Sequence, residues 1–313
     1  MRRAVTRAVG EFQDGHGYNL CGYGTSFAAA RPQQAPPPAE PYFGNTCVHN
    51  KSVESALSAP AAPARLWLWP NLLSLDAPVV AVLWQFLFAR CFQAPVDALA
   101  ALLLLLTVWL IYAADRTLDA WRGDSHSPRH EFYRRHWREL LPVWMTVLGL
   151  TAWLAAERLP LGLFLRGLIL FAAVCVYFAL VHSSVLRLHK EAAVGVLFAL
   201  GASLVAWGKV KTPADVTTIL LFSGLCWMNC IAIQKWEGEK LDWSPSIAAL
   251  VVAFAAAVLL YADRPVLGGA ELASAFGFLL LDRARPRLSA DAVRVLADVA
   301  LLSPVFFLPM VRG

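Results

Sequence analysis

Residues 96–119 read VDALAALLLLLTVWLIYAADRTLD, an apolar run that closes on two aspartates four positions apart. A helix needs about 20 mainly apolar residues to cross the roughly 30 Å hydrocarbon core of a bilayer. Only helices and closed barrels satisfy the backbone in lipid, and this run lacks the apolar–polar alternation of a barrel strand. The stretch therefore predicts a transmembrane helix with a polar end.

Further apolar runs precede and follow this one and are separated by short charged segments. Together they predict an all-α fold, a polytopic membrane helix bundle with about nine transmembrane helices. The predicted spans are residues 66–89, 96–114, 141–156, 161–182, 192–208, 214–234, 245–261, 266–281 and 292–311.

The composition of the 313-residue chain agrees with a membrane protein, because 58% of the residues are hydrophobic and 16% are charged. A soluble domain is typically about half apolar and about a quarter charged, so a soluble enzyme, a disordered regulator and a coiled coil are disfavoured. The net charge of +5 fits basic cytoplasmic loops better than a nucleic-acid surface, and no nucleic-acid partner is expected. Six cysteines without a CxxC pair indicate neither a disulfide framework nor a zinc site.

The first 64 residues differ from the rest, because they are rich in proline, alanine and polar residues and contain no long apolar run. This composition predicts a disordered tail before a transmembrane domain at residues 65–313. An alternative is that translation starts downstream of residue 1. No catalytic role is expected for the tail.

Basic residues near the ends of the predicted spans indicate the orientation. Fourteen lysines and arginines lie on the side of the N-terminus and six on the opposite side. Under the positive-inside rule, this bias places the N-terminus in the cytoplasm, and an odd number of spans then places the C-terminus outside. A bacterial inner membrane would fit this topology.

Residues 127–138, SPRHEFYRRHWR, mix aromatic and basic side chains in the loop between spans 2 and 3. This pattern predicts a helix at the membrane interface, with aromatic rings among the headgroups and arginines near the phosphates. The alternative is a metal site at His126, His130 and His136, although their spacings match no common ligand pattern.

Asp115 and Asp119 are the most informative polar residues, because a spacing of four places both carboxylates on one helix face. Mg²⁺ prefers one or two carboxylates together with water and phosphate oxygens, so the pair could hold this ion at the mouth of the bundle. The alternative is structural, with both aspartates paired to Arg116, Arg122 or the arginines of the following loop.

The stretch IYAADRTLD at residues 111–119 resembles the aspartate-rich motif N-D-x-x-D-x-x-x-D of the UbiA superfamily of intramembrane prenyltransferases. Asp115 and Asp119 match its second and third aspartates, whereas isoleucine and tyrosine replace the leading N-D pair. The end of span 6, NCIAIQKWEGEKLD at residues 229–242, resembles the second motif, Y-A-x-x-D-x-x-D-D, more distantly. One of its aspartate positions is occupied by lysine, and the acidic residues near the others are Glu237 and Glu239.

The resemblance covers about residues 66–311 and implies a UbiA-like fold that transfers a prenyl group with Mg²⁺. The donor would be a polyprenyl diphosphate held in the membrane lipid, and the acceptor is often aromatic. Asp115 and Asp119 would hold Mg²⁺, with help from Glu237 and Glu239. Lys190 would assist catalysis. The residues expected to help bind the diphosphate are Arg116, Arg129 and Arg187.

Two alternatives stay open. The departures from both motifs favour a non-catalytic UbiA-like protein that binds an isoprenoid or a lipid headgroup. A transporter would instead show an internal repeat, or broken helices with polar groups at mid-membrane.

Charged residues inside spans are costly and often functional. Arg294 and Asp298 are expected to pair with each other, and Glu271 is a candidate for a second polar site.

Overall fold

The computed structural model describes residues 66–122, 128–182, 190–236, 244–261 and 264–311. Within these ranges the chain is helical apart from short connections, and no strand occurs. The prediction of an all-α fold is therefore confirmed. The tail predicted at residues 1–64 lies outside the described residues.

Nine helices longer than ten residues occupy the described ranges. They are α1 (Asp76–Cys91), α2 (Ala98–Arg122), α3 (Pro128–Arg158), α4 (Leu161–His182), α5 (Lys190–Ser203), α6 (Pro213–Trp236), α7 (Pro245–Tyr261), α8 (Pro265–Ala284) and α9 (Ala290–Ala300). Four of them begin with proline, whose missing N–H is not needed in the first turn of a helix. A 3₁₀ segment, Leu204–Lys209, extends α5, and a short helix, Pro304–Phe307, follows α9.

Seven helical segments of the described chain are long and apolar enough to cross a membrane. They are Ala98–Asp119, Phe132–Arg158, Leu161–Val181, Lys190–Lys209, Pro213–Trp236, Pro265–Arg287 and Ala290–Met310. The apolar part of α7, Pro245–Leu259, is shorter. Large apolar side chains face outward, with Ile169 68% and Phe254 75% exposed, as expected where lipid is the solvent. These features support an integral membrane protein.

The first predicted span, residues 66–89, is interrupted near its start. A short helix at Trp69–Leu72 stops, and α1 begins only at Asp76. Ser74 in the connection has a φ of 58°, a left-handed conformation that residues other than glycine rarely adopt. A hydrogen bond of 2.9 Å joins Ser74 Oγ to Tyr133 Oη of α3 and holds this turn in place.

Two side chains of α2 donate hydrogen bonds to backbone carbonyl oxygens at this interruption. Trp109 Nε1 donates to the Leu73 carbonyl oxygen at 3.0 Å, and the Arg116 guanidinium donates to the Asn71 carbonyl oxygen. An unpaired carbonyl group is costly away from water, so non-helical backbone at membrane depth needs such donors. The interruption of the first span therefore depends on α2.

The last predicted span, residues 292–311, is interrupted in a similar way. α9 ends at Ala300, and the next short helix begins at Pro304. Trp84 Nε1 of α1 donates to the carbonyl oxygen of Leu301 in this connection at 2.9 Å. The first and last spans thus contact each other at the point where the last one breaks.

Of the helix predicted at the membrane interface, residues 128–138 form the first turns of α3, which continues to Arg158. Tyr133 is only 3% exposed and packs beside Ala113 of α2. Its ring was expected among the lipid headgroups, and that prediction is wrong because the hydroxyl bonds Ser74 inside the bundle. This part of α3 covers the interruption of the first span.

Aromatic rings fill the centre of the bundle between α1 and α6. Trp84 stacks on Phe222 with ring centroids 4.1 Å apart, and Phe88 meets the same ring edge-on at 5.7 Å. All three side chains are fully buried. Helices in lipid associate through packing and hydrogen bonds, and aromatic pairs contribute about 0.5–1.5 kcal/mol each beyond their buried area. This cluster fixes α1 against α6.

α5 and α6 approach each other closely at Gly195. A methyl group placed there would lie 2.7 Å from the Ser223 carbonyl oxygen and 2.9 Å from the Trp227 backbone nitrogen. Backbone atoms cannot rotate away from such a contact. The close approach therefore requires glycine, and it keeps Glu191, one turn earlier on α5, beside α6.

We expect Gly195→Ala to destabilise the α5–α6 contact by about 1–3 kcal/mol, because overpacking outweighs the better helix propensity of alanine. Gly201→Ala on the same helix is the matched control, since its methyl group would meet side chains at ordinary distances of 3.7 and 3.9 Å. Thermal unfolding of the purified protein in detergent measures the difference. Equal melting temperatures for the two variants would contradict the close approach.

Candidate functional site

Polar side chains from several helices meet inside the bundle in a buried polar cluster, which consists of Asn71, Asp76, Arg116, Asn229 and Asp298. Asp76 Oδ2 accepts a hydrogen bond from Asn71 Nδ2 at 2.6 Å and lies 3.9 Å from Arg116 Nη2. The Arg116 and Asp76 side chains are about nine-tenths buried. A buried charge persists only where it is paired and hydrogen-bonded. The ion pair therefore holds the start of α1 against α2.

Asp298 brings α9 into this cluster. Its carboxylate accepts a hydrogen bond from Asn229 Nδ2 at 3.0 Å, and the carboxyl group of Asp76 lies within hydrogen-bonding range of it. Arg294, which was expected to pair with Asp298, lies 3.2 Å from Asp291 one turn earlier. Two carboxyl groups in contact favour the binding of a proton or a cation, because like charges repel.

A small cavity of about 20 Å³ lies beside the cluster, and its lining includes Tyr112, Phe198, Asn229 and Asp298. This volume holds about one water molecule. Asn229 Oδ1 has no hydrogen-bond partner among the described residues, so a polar guest would find an acceptor there. The rings of Tyr112 and Phe198 meet edge-on, with centroids 6.3 Å apart, and form the apolar side of the cavity.

Asp115 and Asp119 lie half-buried near the end of α2. With Tyr177 of α4, Glu191 of α5 and Gln234 of α6, they form a group that we name the acidic mouth. All three carboxylates are close enough to the Tyr177 hydroxyl to act on it electrostatically. Gln234 Nε2 donates to Glu191 Oε1 at 2.7 Å. Four helices therefore contribute to one acidic group at one end of the bundle.

The acidic mouth and the buried polar cluster are neighbours. Cys230 of α6 is within electrostatic range of Asp115, Glu191 and Lys190 at the mouth, and also of Asp298 in the cluster. Polar groups thus continue from the end of α2 toward the small cavity. Negative charge predominates among these side chains.

The structure places the other predicted site residues as follows. Lys190 is the first residue of α5 and is half-buried beside the acidic mouth. Arg116 is 7% exposed and contacts Asp76 and Asn71, so its expected contact with a diphosphate stays a prediction. The backbone of Arg129 belongs to α3, but its side chain is outside the described part of the chain. The residues that lie wholly outside it are Arg187, Glu237 and Glu239.

No group of three or more His, Cys, Asp or Glu side chains within the described ranges is arranged to hold a metal ion. Asp115 and Asp119 supply two carboxylates one turn apart. Because Mg²⁺ commonly takes one or two carboxylates and completes its shell with water and phosphate oxygens, this pair fits an ion that arrives with a phosphate ligand. It does not fit a metal held by protein ligands alone.

Sequence reasoning missed Asp76, Glu191 and Tyr177. Asp76 lies inside the first predicted span, where an ionisable residue is itself a signal of function, but the apolar run around it hides that signal. Glu191 follows Lys190 directly and resembles an ordinary loop charge. Tyr177 is one aromatic residue within a long apolar span, and only the packing of α4 brings it to the mouth.

Comparisons of the chain with known protein families, with curated proteins and with solved structures found no match. The function is therefore argued from the geometry of the acidic mouth and the buried polar cluster.

We expect Arg116→Gln to lower the free energy of unfolding by about 3–5 kcal/mol, because it leaves the Asp76 carboxylate buried without its cation. Arg135→Gln removes the same charge from an exposed position on α3 and should change stability by less than about 0.5 kcal/mol. Thermal unfolding in detergent compares them.

The double variant Asp76→Asn with Arg116→Gln distinguishes the loss of the ion pair from the loss of side-chain packing. It should be more stable than Arg116→Gln alone, because no unpaired charge remains in the interior. If Arg116→Gln melts at the same temperature as Arg135→Gln, the ion pair does not hold α1 against α2.

Proposed function

We propose that the chain is a UbiA-like membrane protein that transfers a prenyl group from a polyprenyl diphosphate to an acceptor, often aromatic, with Mg²⁺. The observation that carries the proposal is the acidic mouth, where Asp115 and Asp119 of α2 and Glu191 of α5 are all within electrostatic range of the Tyr177 hydroxyl at one end of the bundle. An all-helical membrane bundle with an aspartate pair near the end of α2 agrees with the sequence resemblance, although seven described segments, not nine, are long and apolar enough to cross a membrane. We place the mouth at the cytoplasmic face because of the distribution of basic residues.

Asp115 and Asp119 would hold the Mg²⁺ ion, with phosphate oxygens of the donor completing its shell. When bound, the ion neutralises negative charge that grows on the departing diphosphate. The acidic residues predicted to contribute further ligands lie outside the described residues. They are Glu237 and Glu239.

The chain's own residues would position the donor and exclude water. Lys190, at the start of α5, supplies positive charge beside the carboxylates, where it can attract a diphosphate. Arg116 acts on Asp76 and therefore holds the end of α2 in position. Beneath the mouth, the rings of Tyr112 and Phe198 form the apolar side of the small cavity and would stabilise a developing carbocation through its attraction to aromatic faces.

A second candidate function is binding of an isoprenoid or a lipid headgroup without chemistry. The size of the cavity beneath the mouth favours it, because about 20 Å³ accommodates one water molecule and no prenyl chain. Transfer would require α2, α5 and α6 to separate and open this space. Binding of a headgroup at the mouth alone requires no such movement.

We expect Asp115→Asn or Asp119→Asn to reduce Mg²⁺-dependent prenyl transfer by about 10²–10³-fold, because each removes a carboxylate ligand of the ion that would stabilise the leaving group. Glu157→Gln is the matched control, since it neutralises an exposed carboxylate at the C-terminal end of α3. The measurement is transfer of a radiolabelled prenyl group to endogenous or added aromatic acceptors in vesicles that contain the full chain.

Three outcomes separate the two candidates. Transfer that requires Mg²⁺ and both aspartates supports the enzyme. Mg²⁺-dependent binding of a prenyl diphosphate without transfer supports the non-catalytic candidate. The absence of Mg²⁺-dependent binding for prenyl diphosphates of short, medium and long chain would contradict the enzyme and would restrict the second candidate to ligands without a diphosphate.

A further inference from the structure

A second pocket, of about 380 Å³, lies between the end of α6 and the connection from α8 to α9. We name it the basic pocket, because the charged side chains that line it are Lys235, Arg285 and Arg294. No acidic side chain lines it among the described residues. Basic side chains therefore predominate in its described lining, whereas carboxylates predominate at the acidic mouth, although α6 contributes to both.

The walls of the basic pocket are held by bonds to groups outside it. Trp236 Nε1 donates to Asp282 Oδ1 at 2.9 Å, which fixes the indole ring at the pocket wall. Arg294 is 7% exposed and lies 3.2 Å from Asp291 Oδ1. Arg285 is exposed and can reach a ligand from the solvent side. Hydrogen bonds and ion pairs therefore hold the Trp236 and Arg294 side chains in place, while the Arg285 guanidinium stays accessible to a ligand.

The position of the basic pocket matches the boundary between headgroups and hydrocarbon. The membrane-length segments next to it end at Trp236 and Arg287, and the following one begins at Ala290. Apolar side chains, such as Leu288 and Val293, line the remainder of the pocket. A ligand that fits has an anionic head for the basic groups and an apolar part that continues into the bilayer.

We propose that the basic pocket binds the phosphate group of an anionic phospholipid. A free phosphate or diphosphate carries the same charge, but it would leave the apolar lining of the pocket without a partner. Basic pockets between membrane helices are suited to lipid phosphates at the surface that carries the excess of lysine and arginine. None of the residues of the acidic mouth lines the basic pocket, so this proposal does not depend on the proposed enzymatic function.

Binding of a fluorescent phosphatidylglycerol to the purified full chain in nonionic detergent tests the proposal, with fluorescent phosphatidylcholine as the neutral comparison. The Lys235→Gln and Arg285→Gln variants should each weaken phosphatidylglycerol binding about fivefold. Arg287→Gln is the matched control, because it removes the same charge from an exposed residue of the same connection that does not line the pocket. It should leave binding within twofold of the unmodified chain.

The proposal is supported if phosphatidylglycerol binds more tightly than phosphatidylcholine, the two pocket variants weaken binding, and Arg287→Gln does not. It is overturned if Arg287→Gln weakens binding as much as the pocket variants, because binding would then depend on the general positive charge of this surface and not on the pocket. Competition with pyrophosphate distinguishes the two sources of phosphate. Displacement of the lipid by pyrophosphate at concentrations similar to the lipid's own would also overturn the proposal, in favour of a site for soluble phosphates.

Discussion

The buried ion pair between Asp76 and Arg116 is the interaction on which the arrangement of the polar groups depends. Both side chains are about nine-tenths buried, so neither charge is stable there without the other. Arg116 also bonds the carbonyl oxygen of Asn71, which joins the interrupted first span to α2. Since Asp115 and Asp119 lie in the same turns of α2, the ion pair fixes the position from which the acidic mouth is built.

Interrupted helices also occur in secondary transporters, where the freed backbone groups face a substrate or an ion. The carbonyl oxygens at the two interruptions here have side-chain donors instead. Trp109 and Arg116 bond those at the first span, and Trp84 bonds Leu301 at the last. These bonds give the interruptions a structural role. The buried polar cluster and the acidic mouth both lie toward the same end of the bundle, which suits a headgroup site there. Glu271 of α8 and Asp215 of α6 are also buried and lie outside these two groups.

The apolar runs predicted the helical class and most of the spans. The thickness of the bilayer sets the length of each apolar run, and that length can be read directly from the sequence. The interruption at Ser74 was not predictable, since leucines flank it and its left-handed conformation depends on Tyr133, 59 residues away. The spacing of Asp115 and Asp119 predicted a shared face of α2. It could not show that Arg116 contacts Asp76, because only the packing of α1 against α2 brings the two together.

The central claim is that the acidic mouth binds a metal–diphosphate headgroup through Asp115 and Asp119. A structure of the full chain in a lipid nanodisc with Mn²⁺ and a prenyl thiolodiphosphate, an analogue that resists ionisation, tests it most directly. The account predicts density for the metal and the diphosphate beside these two carboxylates, with the prenyl chain between α2, α5 and α6. Density for the diphosphate in the basic pocket alone, or no metal near either aspartate, would contradict it.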